Sequence, residues 1–225
     1  MSIVKKIPAR VVNIYNHIGG VYTLEFESLG KPFKYDPGQF LHLALDEYDP
    51  SGQWPESRCF SMQSSPDQPN IKITYAVKGK FTSRMEKELH PGSIITLKLP
   101  YGDLFTKSHN KENSVFIAGG TGITPFLSLF THESFKNYIN PRIYLGFKTN
   151  SFNIYKNELK LVNHCNPKII YEDTDGSLDI LNIFSENGTN SYYFISGPPS
   201  MIKIFSQTLI TKGVSPTKIL TDDWE

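Results

Sequence analysis

Four short stretches of this chain carry residue types suited to a ligand with phosphates at one end and a flat ring at the other. The first is Arg58-Cys59-Phe60-Ser61-Met62-Gln63-Ser64, set between Trp54-Pro55 and Ser65-Pro66. Read as a strand, its side chains alternate between faces. Arg58 and Phe60 then share one face, with Met62 beyond them. A guanidinium offers forked donors to phosphate oxygens, and a neighbouring phenyl ring can stack on a planar ring. The same letters also fit an arginine lying along an ordinary strand.

The second stretch, Gly119-Gly120-Thr121-Gly122-Ile123-Thr124-Pro125, follows an apolar run and precedes a helical pattern. Glycines let a nucleotide approach the backbone, and a helix start attracts phosphate. Thr124 fits a helix N-cap and Pro125 the first helical position. A dinucleotide fingerprint would have glycine where Pro125 stands, and a plain tight turn is the alternative. The third stretch, Ser196-Gly197-Pro198-Pro199-Ser200-Met201, also joins an apolar strand to a helix. If both strands belong to one open parallel sheet, the two loops lie at carboxyl ends, where ligands bind, and could flank one crevice. A rigid Gly-Pro turn reads the same way. The fourth, Gly79-Lys80-Phe81-Thr82-Ser83, puts small and hydroxyl residues at a helix start, as a phosphate seat or as capping by Thr82 or Ser83.

Two kinds of element must position these stretches. From residue 3 to about 105 the chain reads as short strands, over 7–14, 22–27, 39–45, 58–64, 71–77 and 93–99, with one helix over 82–89. That spacing predicts a closed antiparallel barrel or sandwich. After a polar linker at 107–113 the style changes. Strands over 114–118, 142–147, 168–171 and 192–196 alternate with helices over 125–135, 154–162, 178–184 and 200–211, which implies parallel βαβ units. Gly213 stands where a left-handed helix cap is cheapest.

The 225 residues carry a net charge of +1 and no long run of one sign, which argues against nucleic acid as a partner. No apolar stretch reaches membrane-spanning length, and the first ten residues lack a signal-peptide core. A cytoplasmic monomer is expected. Cys59 and Cys165, the two cysteines, are too few for an iron–sulfur cluster or a disulfide framework. Cys59 is read as a small buried strand residue. The histidines show no metal spacing, so no metal is expected.

In order, Arg58-x-Phe60-Ser61-x-x-Ser64, Gly79-x-x-Thr82, Pro100-Tyr101-Gly102-Asp103-Leu104-Phe105, Gly119-Gly120-x-Gly122-Ile123-Thr124-Pro125 and Gly197-Pro198-Pro199-x-Met201 resemble the ferredoxin–NADP reductase-like flavoprotein family over nearly the whole chain. The resemblance implies a Greek-key flavin-binding β-barrel over 1–107 and an α/β nucleotide-binding domain over 112–225. It assigns Arg58 to the flavin phosphate, Phe60 to the isoalloxazine face and Ser61 to the neighbourhood of flavin N5. Ser64, Tyr75, Val77 and Phe81 join the flavin set, and Gly79, Thr82 and Ser83 seat the pyrophosphate of FAD. The nicotinamide nucleotide falls to Gly120, Thr121, Gly122, Thr124 and Pro125, with Lys148, Gly197, Pro198, Pro199 and Met201. Ser61, Thr124 and Ser196 stand nearest the chemistry. Trp224 is expected to cover the flavin, with a frayed tail as the alternative.

Three departures matter. Phe60 replaces the commoner tyrosine, Ser196 stands where many members have cysteine, and no plant-type ferredoxin segment is attached. The implied function is transfer of hydride from NADH or NADPH to FAD, then of electrons to a separate acceptor such as a ferredoxin, an oxygenase component, a cytochrome or a small molecule. The flavin carries the hard chemistry, so no essential histidine or carboxylate base is expected. A flavin or ferric reductase using free flavin is the second reading, and an electron-transfer subunit of a larger complex the third.

Overall fold

Alternation of apolar and polar residues through the first hundred positions builds six antiparallel strands in the computed structural model, which describes residues 3–222. They are β1 (Lys5–Asn16), β2 (Val21–Ser28), β3 (Phe40–Ala44), β4 (Ser57–Ser61), β5 (Ile71–Ala76) and β6 (Ile94–Tyr101), in the order β4-β3-β6-β1-β2-β5. Side chains at every second position, among them Ala9, Val11, Leu24, Phe26, Leu41 and Leu43, fill the interior. The outer strands β4 and β5 are drawn together just past β4. There the Gln63 amide donates to the Lys72 carbonyl at 2.7 Å, and the Lys72 amide donates to Ser64 Oγ at 3.0 Å. The barrel is therefore nearly closed, along a seam of irregular bonds.

One helix, α1 (Lys80–Glu88), lays Phe81 and Met85 on this core, the i, i+4 spacing of a single helix face. It starts two residues before the expected position. Thr82 Oγ1 accepts the Lys78 and Gly79 amides and donates to the Gly79 carbonyl, so the first turn closes around Gly79.

The second half forms a five-stranded sheet whose paired strands are all parallel. It contains β7 (Ser114–Gly119), β8 (Arg142–Phe147), β9 (Lys168–Tyr171), β10 (Tyr192–Ser196) and β11 (Ile219–Thr221), in the order β11-β10-β7-β8-β9. Its helices are α2 (Thr124–Phe130), α3 (Lys156–Leu159), α4 (Glu172–Asp175), α5 (Ile180–Asn187) and α6 (Pro199–Thr211). The sheet is apolar on both faces. Phe116, Ala118 and Phe194 share a layer with Phe126 and Phe130 of α2. Val115, Ile117, Tyr193 and Ile195 share another with Ile183, Ile202 and Phe205 of α5 and α6.

The chain divides into two compact units, Met1–Asp103 and Leu104–Glu225. The domains expected from the sequence span 1–107 and 112–225. Leu104 is buried in the second core, and the Phe105 ring lies 5.2 Å from Phe194. The stretch read as a polar linker is anchored too, with His109 Nε2 2.7 Å from the Tyr138 hydroxyl. The expected helix over 125–135 ends at Phe130 and resumes as a 3-10 turn, Glu133–Asn137. That over 154–162 is α3 followed by a second 3-10 turn, Lys160–Cys165. Among the described residues, no helix is long and apolar enough to cross a membrane.

A polar lock ties α5 to the sheet. Glu186 accepts from the Tyr144 hydroxyl and, at 2.7 Å, from Lys168. The Lys168 bond, then that of Tyr144, holds the Glu186 carboxyl below its ordinary value. Burial, then Glu186, pushes the Tyr144 phenol up to about 12. The lowered carboxylate contributes stability at neutral pH that is lost as pH falls below its ordinary range. The raised phenol contributes stability that is lost as pH climbs from the ordinary value of 10.0 toward 12. Glu186→Gln is expected to cost about 1 kcal/mol, a fall in Tm of about 2–4 °C. It should also bring the Tyr144 ionisation, read by absorbance, to lower pH.

Candidate functional site

In the first unit the phosphate-and-ring signature sits at one margin of the barrel, on β4. Alternation sends Phe60 inward, where its ring meets Tyr75 edge-on at 6.0 Å, and sends Cys59 outward, 3.6 Å from His42 Nε2. Tyr75 in turn stacks on Tyr22 at 5.6 Å, and burial pushes its phenol well above the ordinary value. The Arg58 guanidinium lies over the Phe81 ring, 5.2 Å from its centroid. Phe81 itself is buried in the core, so its side chain supports Arg58 from beneath.

Beside that arginine is the start of α1. The Ser83 amide bonds the Gly79 carbonyl at 2.9 Å, and the amides ahead of it lie at the helix end, beyond reach of intrahelical partners. A Cβ built on Gly79 meets nothing within 4 Å, so the approach to this helix start is open. The residues present fit FAD: a cation above an aromatic ring, open amides at a helix start, and the Phe60–Tyr75 pair for an apolar ring.

Some hydroxyls expected at the ligand have internal work. Ser64 Oγ accepts the Lys72 amide and bonds the Tyr35 hydroxyl at 3.0 Å, which places it in the seam. Thr82 Oγ1 is turned back onto its own helix start. Ser61 is buried at the end of β4, and Val77 donates its amide to Gly20 at 3.0 Å.

In the second unit the two nucleotide loops leave neighbouring parallel strands, β7 and β10, and touch. A Cβ on Gly122 would lie 2.5 Å from the Gly197 nitrogen and 2.7 Å from the Ser196 carbonyl carbon. One on Gly119 would meet Met201 Sδ at 2.9 Å and Pro198 Cδ at 3.1 Å. The loops therefore pack backbone to backbone, with Met201 filling the angle between them. Gly120 has φ 55° with open space around it, the conformation that glycine adopts without strain.

Thr124 departs from the expected N-cap. Residues Gly120–Ile123 form a 3-10 turn that moves the helix start, so Thr124 is itself helical and buried. Its Oγ1 donates to the Thr121 carbonyl at 3.0 Å, tying the loop to the helix. Pro125 is therefore the second helical residue. Ser196 is buried and its hydroxyl donates to Asp222 Oδ2 at 3.3 Å. The Asp222 amide bonds the Ile195 carbonyl at 3.0 Å. Pro198 and Pro199 are exposed at the start of α6, as is Lys148 after β8. Trp224 lies outside the described residues.

Sequence reasoning missed Glu56, Tyr22 and Asp222. Glu56 had a local signal, an acid two residues before Arg58. Tyr22 had one in its alternation with Leu24 and Phe26 on β2. Asp222 had none, because β11 is too short to show a period.

No family model matches the chain. The gamma subunit of sulfhydrogenase 2 from Pyrococcus furiosus is 28% identical over 227 residues, covering 88% of this chain and 76% of the relative. The reductase component of propane 2-monooxygenase from Mycolicibacterium smegmatis is 32% identical over 131 residues, covering 56% of this chain but only 36% of that protein. Among solved structures, a ferredoxin NADP+ reductase from Neisseria gonorrhoeae with bound FAD and NADP superposes with a TM-score of 0.81. It shares 16% identity and covers 97% of this chain and 98% of its own. The chain has the two-part fold of that ferredoxin NADP+ reductase. Both hallmarks of this reductase-like fold are present, the antiparallel barrel carrying the Arg58 strand and the parallel sheet carrying the two glycine loops.

Proposed function

We propose that the chain is an NAD(P)H-dependent flavoprotein reductase, with FAD on the barrel unit and a nicotinamide nucleotide on the parallel-sheet unit. The observation that carries this reading is the Arg58 guanidinium held over Phe81, beside the open start of α1. When bound, FAD supplies the chemistry, taking a hydride from the reduced nicotinamide and releasing electrons to a separate acceptor. Arg58 binds phosphate, the first amides of α1 receive the pyrophosphate, and Phe60 and Tyr75 give the ring an apolar wall. Thr124 and Asp222 act on the nucleotide side, the first bracing the glycine loop and the second fixing the Ser196 hydroxyl. The relatives, a monooxygenase reductase component and a sulfhydrogenase subunit, favour a protein acceptor. A cytoplasmic place of work is part of this reading and agrees with a sequence of two cysteines, too few for a disulfide framework.

Anaerobic mixing of the yellow holoprotein with NADH and with NADPH tests the reading. Bleaching of the flavin by at least one is expected, and bleaching by neither would refute it. A colourless protein that binds flavin only at micromolar concentration would instead favour the reading in which free flavin is the substrate.

NADH is the expected nucleotide. The turns after β8 and β9 meet, with the Asp173 amide donating to the Lys148 carbonyl at 3.2 Å. This brings Glu172, Asp173 and Asp175 to the neighbourhood of Lys148. Asp175 accepts the Tyr171 amide and Glu172 the Ser177 hydroxyl. These three carboxylates against one lysine disfavour a 2′-phosphate and suit a free 2′-hydroxyl. Comparison of kcat/KM for the two nucleotides is expected to favour NADH, and an NADPH preference of about tenfold or more, 1.4 kcal/mol, would overturn the assignment.

A further inference from the structure

We propose that Glu56 is a resident counter-ion that competes with the flavin phosphate for Arg58, so that flavin loading exchanges one anion for another. The inference rests on the flavin reading above. Glu56 Oε1 accepts from Arg58 Nη2 at 2.8 Å, and the Ser57 carbonyl accepts from Nη1 at 2.8 Å. These acceptors occupy the two prongs of the guanidinium, the donors a phosphate would use.

Glu56 is held in place by its surroundings. Two positions before it, the Trp54 indole donates to Ser57 Oγ at 2.8 Å, and its ring packs on Tyr48 at 5.5 Å. Lys6 of β1 lies 4.2 Å above the Tyr48 ring, and Lys98 of β6 lies 5.6 Å from the Trp54 ring. This aromatic and cationic clasp pins the segment after β3 to the outside of the barrel and delivers Glu56 to the head of β4. The Arg58 and Glu56 side chains are 53% and 54% exposed, so an incoming anion can reach the pair without opening the core. Phe81 keeps the guanidinium in position as the carboxylate lets go.

Neutralising the competitor should therefore strengthen binding. Glu56→Gln is expected to bind FAD about two- to fivefold more tightly, the range an exposed ion pair is worth. The test measures FAD dissociation constants by flavin fluorescence on the full-length apoprotein, for the natural chain, Glu56→Gln, Arg58→Ala and the double variant. Tightening in Glu56→Gln that disappears in the Arg58→Ala background supports the exchange. Weakening by Arg58→Ala with no tightening in Glu56→Gln overturns the exchange and leaves the flavin reading standing. Tightening of the same size in both backgrounds also overturns it, because it reports charge alone. Unchanged affinity in Arg58→Ala overturns the flavin assignment of Arg58 and the exchange with it.

Discussion

Arg58→Ala is expected to weaken FAD binding about ten- to a hundredfold while leaving the barrel folded, since a hydrogen bond to a charged group is worth about 1.5–3 kcal/mol. The barrel should survive because the guanidinium lies half exposed over Phe81 and fills no part of the core. Arg58→Lys is expected to fall between the two, because an ammonium keeps the charge but not the planar fork. Fluorescence titration reads the affinity and thermal melting of the apoprotein reads the fold. Full flavin occupancy in Arg58→Ala would make Arg58 an ordinary strand residue.

Gly122→Ala is expected to have the largest effect in the second unit. The added methyl would lie 2.5 Å from the Gly197 nitrogen, and the obstacle is backbone with no rotamer to yield. Overpacking of this kind costs about 1–3 kcal/mol, a fall in Tm of about 2–4 °C for each kcal/mol in a chain of this size. Nucleotide binding should be lost with it, because relief requires the two loops to part. Gly120→Ala serves as the comparison. It meets open space and carries only the strain of φ 55°, about 1–2 kcal/mol, with the contact between the loops intact. Isothermal titration with NAD+ and thermal melting of both variants separate the effects. Equal nucleotide affinity in Gly122→Ala and the natural chain would show that the contact is dispensable.

Much of the fold was legible because its strands obey simple periods. The alternation of Leu24 and Phe26 with Thr23 and Glu25 marks β2, and the unbroken apolar letters of β7, β8 and β10 mark strands covered on both faces. Other features depend on partners distant in the chain. Nothing near Gly122 announces Gly197, and the polar letters around His109 conceal its bond to Tyr138. Thr124 was misplaced for a local reason, the 3-10 turn before it, which changes a capping acceptor into a donor within the helix. The hydroxyls of Ser64 and Thr82 stood at the expected positions, but the side chain of each bonds its own backbone surroundings. Composition can mark such residues, while only geometry shows which way the oxygen faces.

The barrel seam has a kinetic consequence. A ladder of regular strand pairs resists opening because each pair holds its neighbours, whereas β4 and β5 are joined through the bonds of Gln63, Ser64 and Lys72. Local opening is easiest where few contacts hold the backbone, so the amides of Gln63 and Lys72 should exchange with solvent ahead of those in the unbroken β1–β6 pair. The strand that bears Arg58, Phe60 and Ser61 then borders the part of the barrel that breathes first. A bulky ring system can enter beside it through a brief fluctuation, with the rest of the barrel still folded.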